Sequence, residues 1–288
     1  MPEPKNLIAV SYGGGIQSTA IAHLVINKHP ELMAVIDRLP DCFIFADTGD
    51  EPDSVYETVG RTASALASAG IRLLIVRKSK NSLSEEFKRK VEAGIRGIDC
   101  PPFYLTTDSP GGGIVSRQCT SAWKVEVLDR KKKKLAGLNL RRKAHRELDP
   151  VVDAWMGISI DEASRMRTPT ESWQRYIYPL VDMGWRRLDC IKYLQDLGVE
   201  ASRSACSYCP FHSDGEWKRI KEEEPKAWAQ AVAFEKWLHN KHDQGVKIAG
   251  LRGKPFLHKS KVPLEEADFN NQPDLFAFDN ECAGVCGV

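Results

Sequence analysis

Apolar positions along this chain fall into two recurring patterns: short continuous blocks and helix-spaced stripes. Leu7-Ile8-Ala9-Val10 is a block of the kind that fills a buried strand, and a helical pattern from about Ile16 to Lys28 follows it. A second block, Cys42 to Ala46, predicts another strand, and an amphipathic pattern from about Asp53 to Ser68 predicts a helix. Ile71 to Val76 reads as a third strand and Val151 to Met156 as a fourth. Strands alternating with helices in this order imply a doubly wound α/β fold with a parallel sheet. Further on, helices are predicted from about Arg187 to Leu197 and from about Gly215 to His239, the latter interrupted near Pro225. Trp228, Ala231, Phe234 and Leu238 carry its core face. The polar, glycine-rich segment from about Lys80 to Ser116, ending in Ser109-Pro110-Gly111-Gly112-Gly113, reads as a long mobile connection, and the tail from Gly250 as irregular. The pattern divides the chain into an α/β domain over 1–185 and a helical, Cys-rich C-terminal appendage over 186–288.

Composition narrows the class. With 42% hydrophobic and 28% charged residues over 288 positions, this is an ordinary globular composition. No apolar run approaches the ~20 residues of a membrane span, and no basic-apolar leader pattern opens the chain. A cytoplasmic protein with no membrane partner is expected. The net charge of +2 hides a local asymmetry: nine Lys or Arg residues and no acid lie between Arg130 and Arg146. Such a run is either a solvated helix face or, through residues 130–146, a contact for nucleic acid. Eight cysteines without a secretion signal argue against a disulfide scaffold and for metal or redox chemistry. Cys42 and Cys190 lie in apolar patterns and read as inert core residues, and Cys100 in its Asp-Cys-Pro-Pro loop receives no role.

The chemistry concentrates in a few segments. Val10-Ser11-Tyr12-Gly13-Gly14-Gly15-Ile16-Gln17-Ser18 places three glycines between a strand and a helix N-terminus. Glycines let backbone N–H groups approach an anion, and the helix start adds unpaired donors with partial positive charge. A phosphate cradle over Ser11, Gly13, Gly14, Gly15, Gln17 and Ser18 is predicted. It is not a Walker loop, because no Lys precedes Ser18, and a G-x-G-x-x-G match fails at Ser18. Asp47-Thr48-Gly49 ends the second strand, so both motifs fall beyond the carboxyl ends of strands, where such sheets bind ligands. Asp47 would orient a ribose hydroxyl or help hold magnesium. Cys206 and Cys209 have C-x-x-C spacing, and Cys282 and Cys286 form a second close pair. Two such pairs would make a zinc site, whereas Cys119, Cys206, Cys209 and one tail cysteine would hold a [4Fe-4S] cluster. Asp161 and Glu162 suit a helix N-terminus, and His212 reads as a loop residue.

In order along the chain, these motifs resemble the PP-loop family of ATP pyrophosphatases and, within it, phosphoadenosine phosphosulfate (PAPS) and adenylyl-sulfate (APS) reductases. The Gly loop is similar to S-G-G-x-x-S, with Gly13 in place of the first Ser and Gln17 in place of the Asp of many ATP-cleaving members. Asp47-Thr48-Gly49 resembles the D-T-G turn, and Cys119 through Glu126 resembles C-C-x-x-R-K-V-E, with Thr120 for the second Cys and Trp123 for the Arg. Gly157 through Arg165, Tyr178-Pro179-Leu180-Val181-Asp182, Cys206-Ser207-Tyr208-Cys209 and Glu281-Cys282-Ala283-Gly284 complete the series. The resemblance implies an adenine nucleotide alpha hydrolase-like fold and an enzyme binding ATP, PAPS or APS. Sulfonucleotide reduction would use a thioredoxin-like reductant, with Cys282 as nucleophile and Lys124 and Arg165 neutralising oxyanions. Adenylation-dependent sulfur transfer, using magnesium, a sulfur donor and a nucleic-acid acceptor as in tRNA thiolation or DNA phosphorothioation, is the alternative. A third reading is a nucleotide-binding subunit with structural zinc and no turnover.

Overall fold

The structure is a computed structural model that describes residues 6–95, 99–106, 113–115, 117–139, 150–201, 203–248 and 251–269. The first half of the chain runs β1 (Leu7–Tyr12), α1 (Ile16–Ile26), α2 (Pro30–Val35), β2 (Cys42–Asp47), α3 (Asp53–Ser68), β3 (Arg72–Arg77), α4 (Leu83–Glu92) and β4 (Tyr104–Leu105). A π-helical stretch over Thr120–Val125 leads into α5 (Glu126–Leu135), then β5 (Val152–Met156), a 3-10 turn over Ile160–Arg165, and β6 (Gln174–Ile177). The remainder is helical: α6 (Pro179–Asp182), α7 (Arg187–Asp196), α8 (Asp214–Glu223) and α9 (Pro225–Asp243), with β7 (Pro255–Phe256) pairing antiparallel to β4.

Five strands form one parallel sheet in the order β3-β2-β1-β5-β6. The chain winds outward from β1 to β3, then returns to lay β5 against the other side of β1. The direction reverses between β1 and β5, and that switch point opens a crevice at the carboxyl ends of the strands. β1, β2 and β5 are buried on both faces, as their mostly apolar sequences require, and the one acid inside β5, Asp153, is paired with Arg175. α1 is apolar on nearly all sides because it lies between the sheet and the neighbouring helices α3 and α7, and Cys190 and Leu194 of α7 join its core.

A second core lies beyond the sheet. Leu83, Phe87 and Val91 of α4, Trp123, Trp217 and Ile220 of α8, and Ala231, Phe234 and Leu238 of α9 pack together there. Phe234 meets Phe87, Phe103 and Tyr208 at ring-centroid distances of 6.0, 6.1 and 4.4 Å. Glu235 of α9 accepts the backbone N–H of Leu257 (2.9 Å) and of Leu264 (2.5 Å), fastening residues 257–264 to this core.

Several expectations are corrected. The stretch from Lys80 to Ser116 is not a continuous loop. Ser82 accepts the Glu85 N–H while the Glu85 carboxylate accepts the Ser82 N–H, and this capping box starts α4. β6 and α5 are also additional to the sequence reading. The basic run is only partly a solvated face. Lys132 is buried, donates to Gln174 Oε1 (2.7 Å) and lies 5.7 Å from the Trp173 ring centroid, and Lys133 pairs with Glu171 at 2.6 Å. These two cations tie α5 to Glu171, Trp173 and Gln174 at the start of the β6 edge. Residues 140–146 of the run lie outside the described residues. Among the described residues no helix is long and apolar enough to cross a membrane.

Gly14 sets the turn between β1 and α1. Its φ is +77°, and a Cβ there would stand 3.2 Å from both Val55 and Val59 of α3. Gly14→Ala is expected to cost about 1–2 kcal/mol from the left-handed backbone alone, with the crowding against α3 added, read as a lowered urea midpoint with unchanged slope.

Candidate functional site

The loop after β1 is built to leave a helix start open. Gly15 is the N-cap of α1 and offers no side chain to the first-turn amides, and no acid occupies that turn. α4 and α8, by contrast, are capped by Ser82 and Ser213 and carry acids in their first turns. Within the loop, Gly13 N–H donates to Ser18 Oγ (3.3 Å), and Ser18 Oγ donates to the Gly15 carbonyl (3.1 Å). Ser204 caps the Gly13 carbonyl from outside. Gly13, Gly14, Gln17 and Ser18 are therefore buried, and the loop meets solvent at Gly15 and Ile16. Gly157, at the end of β5, closes the crevice from the other side: a Cβ on it would lie 3.2 Å from the Ser18 nitrogen. Beside this loop a cavity of about 650 Å³ opens against Ile16, with Arg61, Arg187, Arg203 and Arg219 among its walls.

Gln17 and Arg165 do not stand open to a ligand. Gln17 Nε2 donates to Glu162 Oε2 (2.9 Å), and Arg165 pairs with Glu162 Oε1 (2.6 Å). Glu162, read from sequence as a helix-end residue, is the buried bridge that joins the Gly loop to the segment after β5. Ser11 is buried within β1, paired in register with Ile44 and Met156.

The turn after β2 is the second wall. Asp47 Oδ1 accepts the Gly49 N–H (2.8 Å) and the Tyr56 hydroxyl (2.9 Å), and Oδ2 accepts Arg77 Nε (2.6 Å). Both oxygens have protein partners, so this carboxylate shapes the turn. Gly49 (φ +81°) lies so close to Ser82 that a Cβ would come within 2.7 Å of it. Asp50 Oδ2 accepts the Ser84 N–H (2.6 Å) and the Tyr208 hydroxyl (2.7 Å), and its carbonyl accepts the Ser207 N–H (2.9 Å). Burial raises the Asp50 carboxyl above its ordinary range despite these donors.

Through Asp50 the C-x-x-C segment is held at the sheet edge. Thr48 Oγ1 lies 3.4 Å from Cys206 Sγ and donates to Glu51 Oε1 at 3.2 Å. Lys124, on the π-helical stretch, pairs with Glu51 Oε1 at 3.3 Å with both side chains almost wholly buried. A π-helix inserts one residue into a regular helix and is found disproportionately at functional sites. Here it turns Trp123 and Lys124 inward together. Burial alone would lower the Lys124 ammonium, but Glu51, Cys206 and Cys119 outweigh it and raise it. Burial raises Cys206 well above its usual range, with Glu51 adding to it. Burial, with Cys209 nearby, pushes Cys119 up to about 11, while Lys124 and Arg117 pull the other way. Cys100 is a further buried thiol in this neighbourhood, pushed up to about 12 by burial and by Cys119. His212 Nε2 meets the Cys206 carbonyl at 3.0 Å, so it braces the C-x-x-C turn, and burial lowers its imidazole to about 4.

Cys119, Cys206 and Cys209, each half-buried, thus share one neighbourhood beside the D-T-G turn. Among the described residues, however, no three His, Cys, Asp or Glu side chains stand close enough to hold a metal ion together. The described side chains alone make no complete ligand set for a single metal ion. Cys282 and Cys286, named from sequence as ligands or nucleophile, lie outside the described residues.

The Glu51–Lys124 pair allows a direct test. Lys124→Met leaves a buried carboxylate without its cation, and breaking such a pair costs about 3–5 kcal/mol. The double variant Lys124→Met/Glu51→Gln is expected to recover a large part of that loss, read as urea midpoints of the full chain.

A family model, the phosphoadenosine phosphosulfate reductase domain, matches residues 7–215. No curated protein matches the chain. The match runs from β1 to the first two residues of α8 and takes in the Gly loop, the D-T-G turn, the π-helical stretch and the C-x-x-C segment. That domain implies adenine-nucleotide binding and sulfur-related chemistry. This chain belongs to the phosphoadenosine phosphosulfate reductase family, within the PP-loop ATP pyrophosphatase superfamily.

Proposed function

We propose that this protein is a sulfonucleotide reductase-like enzyme that binds an adenine nucleotide at Gly13–Ser18 and takes sulfur from its sulfonate. The observation that carries this reading is the uncapped start of α1 lying at the same sheet edge as buried thiols and the Lys124 cation. First-turn amides without a capping side chain suit phosphate oxygens. Adenylation with magnesium is disfavoured by the donor chemistry, since Gln17 is an amide and both Asp47 oxygens are engaged.

In this reaction the Cys282 thiolate attacks the sulfonate sulfur of PAPS or APS. The S–O bond to the nucleotide breaks, and its electron pair leaves on the phosphate oxygen. The enzyme then carries a thiosulfonate. A thiol of a dithiol reductant of the thioredoxin class attacks Cys282 Sγ, releasing sulfite and forming a mixed disulfide, which the second reductant thiol resolves. Sulfur gains two electrons, and the dithiol becomes a disulfide. The surroundings of the Cys206 thiol raise it above the usual range, which disfavours it as the first nucleophile. In this reading Gly157, packed on the Ser18 backbone, and the Thr48-Gly49 turn bound the nucleotide site.

The test is anaerobic turnover of the full-length protein with PAPS or APS and a dithiol. Sulfite is the expected product. Cys282→Ser is expected to abolish it while nucleotide affinity stays within about twofold. Pyrophosphate from ATP and magnesium with a nucleic-acid acceptor, in place of sulfite, would establish sulfur transfer instead. Iron, sulfide and zinc measured in the same preparation decide the remaining thiols. About four iron and four sulfide per chain would assign Cys119, Cys206, Cys209 and a tail cysteine to a cluster. Zinc alone would assign them to a structural site.

A further inference from the structure

Three side chains beside the second core form a polar chain of their own. Ser260 Oγ lies 2.7 Å from His258 Nδ1, and His258 Nε2 lies 3.0 Å from Asp214 Oδ1. His258 and Asp214 are buried, at 3% and 4% exposure, whereas Ser260 is exposed. Asp214 opens α8 after its N-cap Ser213, and His258 and Ser260 follow β7. The family match ends at residue 215, so two of the three members lie beyond it.

The donors fix where the protons sit. The backbone N–H of Ser260 also points at His258 Nδ1, at 3.3 Å. An N–H can only donate, so Nδ1 carries a lone pair and the ring proton is on Nε2, facing Asp214. Burial alone would raise the Asp214 carboxyl, but His258 and Lys259, whose Nζ is 3.0 Å away, outweigh it and hold it below its ordinary range. A hydroxyl on an imidazole lone pair, with the imidazole oriented by a buried carboxylate, is the arrangement that makes a serine nucleophilic. The two ring nitrogens exchange places relative to the usual order, which leaves the roles intact, since either can take a proton. Glu235 already fastens residues 257–264 through two backbone N–H groups, so holding that segment does not require this chain.

An apolar wall stands next to the histidine. Phe269 meets the His258 ring edge-on at 5.4 Å, and Trp228 meets Phe269 at 5.9 Å. Lys221 Nζ lies 5.3 Å from the Trp228 ring centroid and 5.8 Å from that of Phe269. Lys259 and Lys261 flank Ser260 in the chain. A short acyl group suits the rings, and a leaving group that departs as an anion suits the lysines.

We propose that Ser260 is the nucleophile of a second, esterase-type site, with His258 as its base and Asp214 orienting the imidazole, acting on short-chain esters with an acidic leaving group. The Ser260 oxygen bonds to the acyl carbon while its proton passes to His258 Nδ1. The ester C–O bond breaks with its electron pair on the departing oxygen, and His258 gives its proton to that oxygen or, for an acidic leaving group, to solvent. Water, deprotonated by the same nitrogen, then attacks the acyl-serine, and the carboxylic acid and the free hydroxyl are released. This activity is independent of the nucleotide reading.

The experiment treats the full-length protein with a fluorophosphonate, which phosphonylates activated serines, and maps the adduct by peptide mass spectrometry. Hydrolysis of p-nitrophenyl acetate is followed in parallel. Wild type is expected to carry the phosphonyl group at Ser260 and not at an exposed serine outside the cluster such as Ser68. Ser260→Ala should lose both the adduct and the serine-dependent release of p-nitrophenolate, with an unchanged urea midpoint, since it removes only an exposed hydroxyl. His258→Gln and Asp214→Asn should each slow labelling of Ser260 by at least about tenfold. The comparison of wild type with Ser260→Ala decides the proposal even where a variant at a buried position does not fold. Labelling of Ser260 no faster than that of Ser68, release of p-nitrophenolate unchanged in Ser260→Ala, or labelling unchanged in folded His258→Gln overturns it.

Discussion

The carboxylate of Asp50 is the constraint on which the arrangement depends. It sits in the turn after β2, and its partners come from two distant parts of the chain: Ser84 of α4 and Tyr208 of the C-x-x-C turn, whose neighbour Ser207 adds a bond to the Asp50 backbone carbonyl. The sheet supplies a rigid edge, but nothing in a five-stranded parallel sheet fixes where a distant cysteine segment will lie. The hydrogen bonds to Asp50 do so, and they draw the second core, with α4, α8 and α9, against the mouth of the crevice. Burying a carboxyl in this way is costly unless its lone pairs are filled. The number of donors directed at it shows why the turn carries an acid at this position.

The charges at the crevice follow a related rule. Three carboxylates at the crevice are matched locally by cations: Glu51 by Lys124, Glu162 by Arg165, with Gln17 also donating to it, and Asp47 by Arg77. Their fields cancel at short range and leave the helix amides of α1 as the main unmatched positive feature of the Gly loop. A low-dielectric pocket with few uncommitted charges discriminates between ligands more sharply than an open basic surface, because each remaining group acts unscreened.

Much of the α/β framework was legible from periodicity. The continuous apolar block of β1, the glycines after it and the Asp53–Ser68 stripe fixed the first βαβ unit, and the bounds of α3 coincide with its stripe. β6 was not legible, because Gln174-Arg175-Tyr176-Ile177 is a short edge strand whose polar residues match no apolar template. α4 had a readable signal in Ser82 and Glu85, hidden within a glycine-rich stretch. The burial of Lys132 was not readable in any local window, since its partners Gln174 and Trp173 lie some forty residues away. The same holds for the site. The order of the motifs indicated one crevice, but the roles of Glu162 and Asp50 as bridges depend on contacts that form only once the chain has folded.

The wide helical stretch over Thr120–Val125 bears on how this chain tolerates insertions and deletions. A π turn holds one residue more than the α turn it replaces, so losing a single codon there would restore ordinary helix. Each residue of an α-helix turns the chain by about 100°. Such a loss would swing everything on the Cys119 side around the axis relative to α5, carrying the thiol away from the face that Val127 and Leu128 anchor. The reading frame of this short segment is therefore far less forgiving of length change than of substitution.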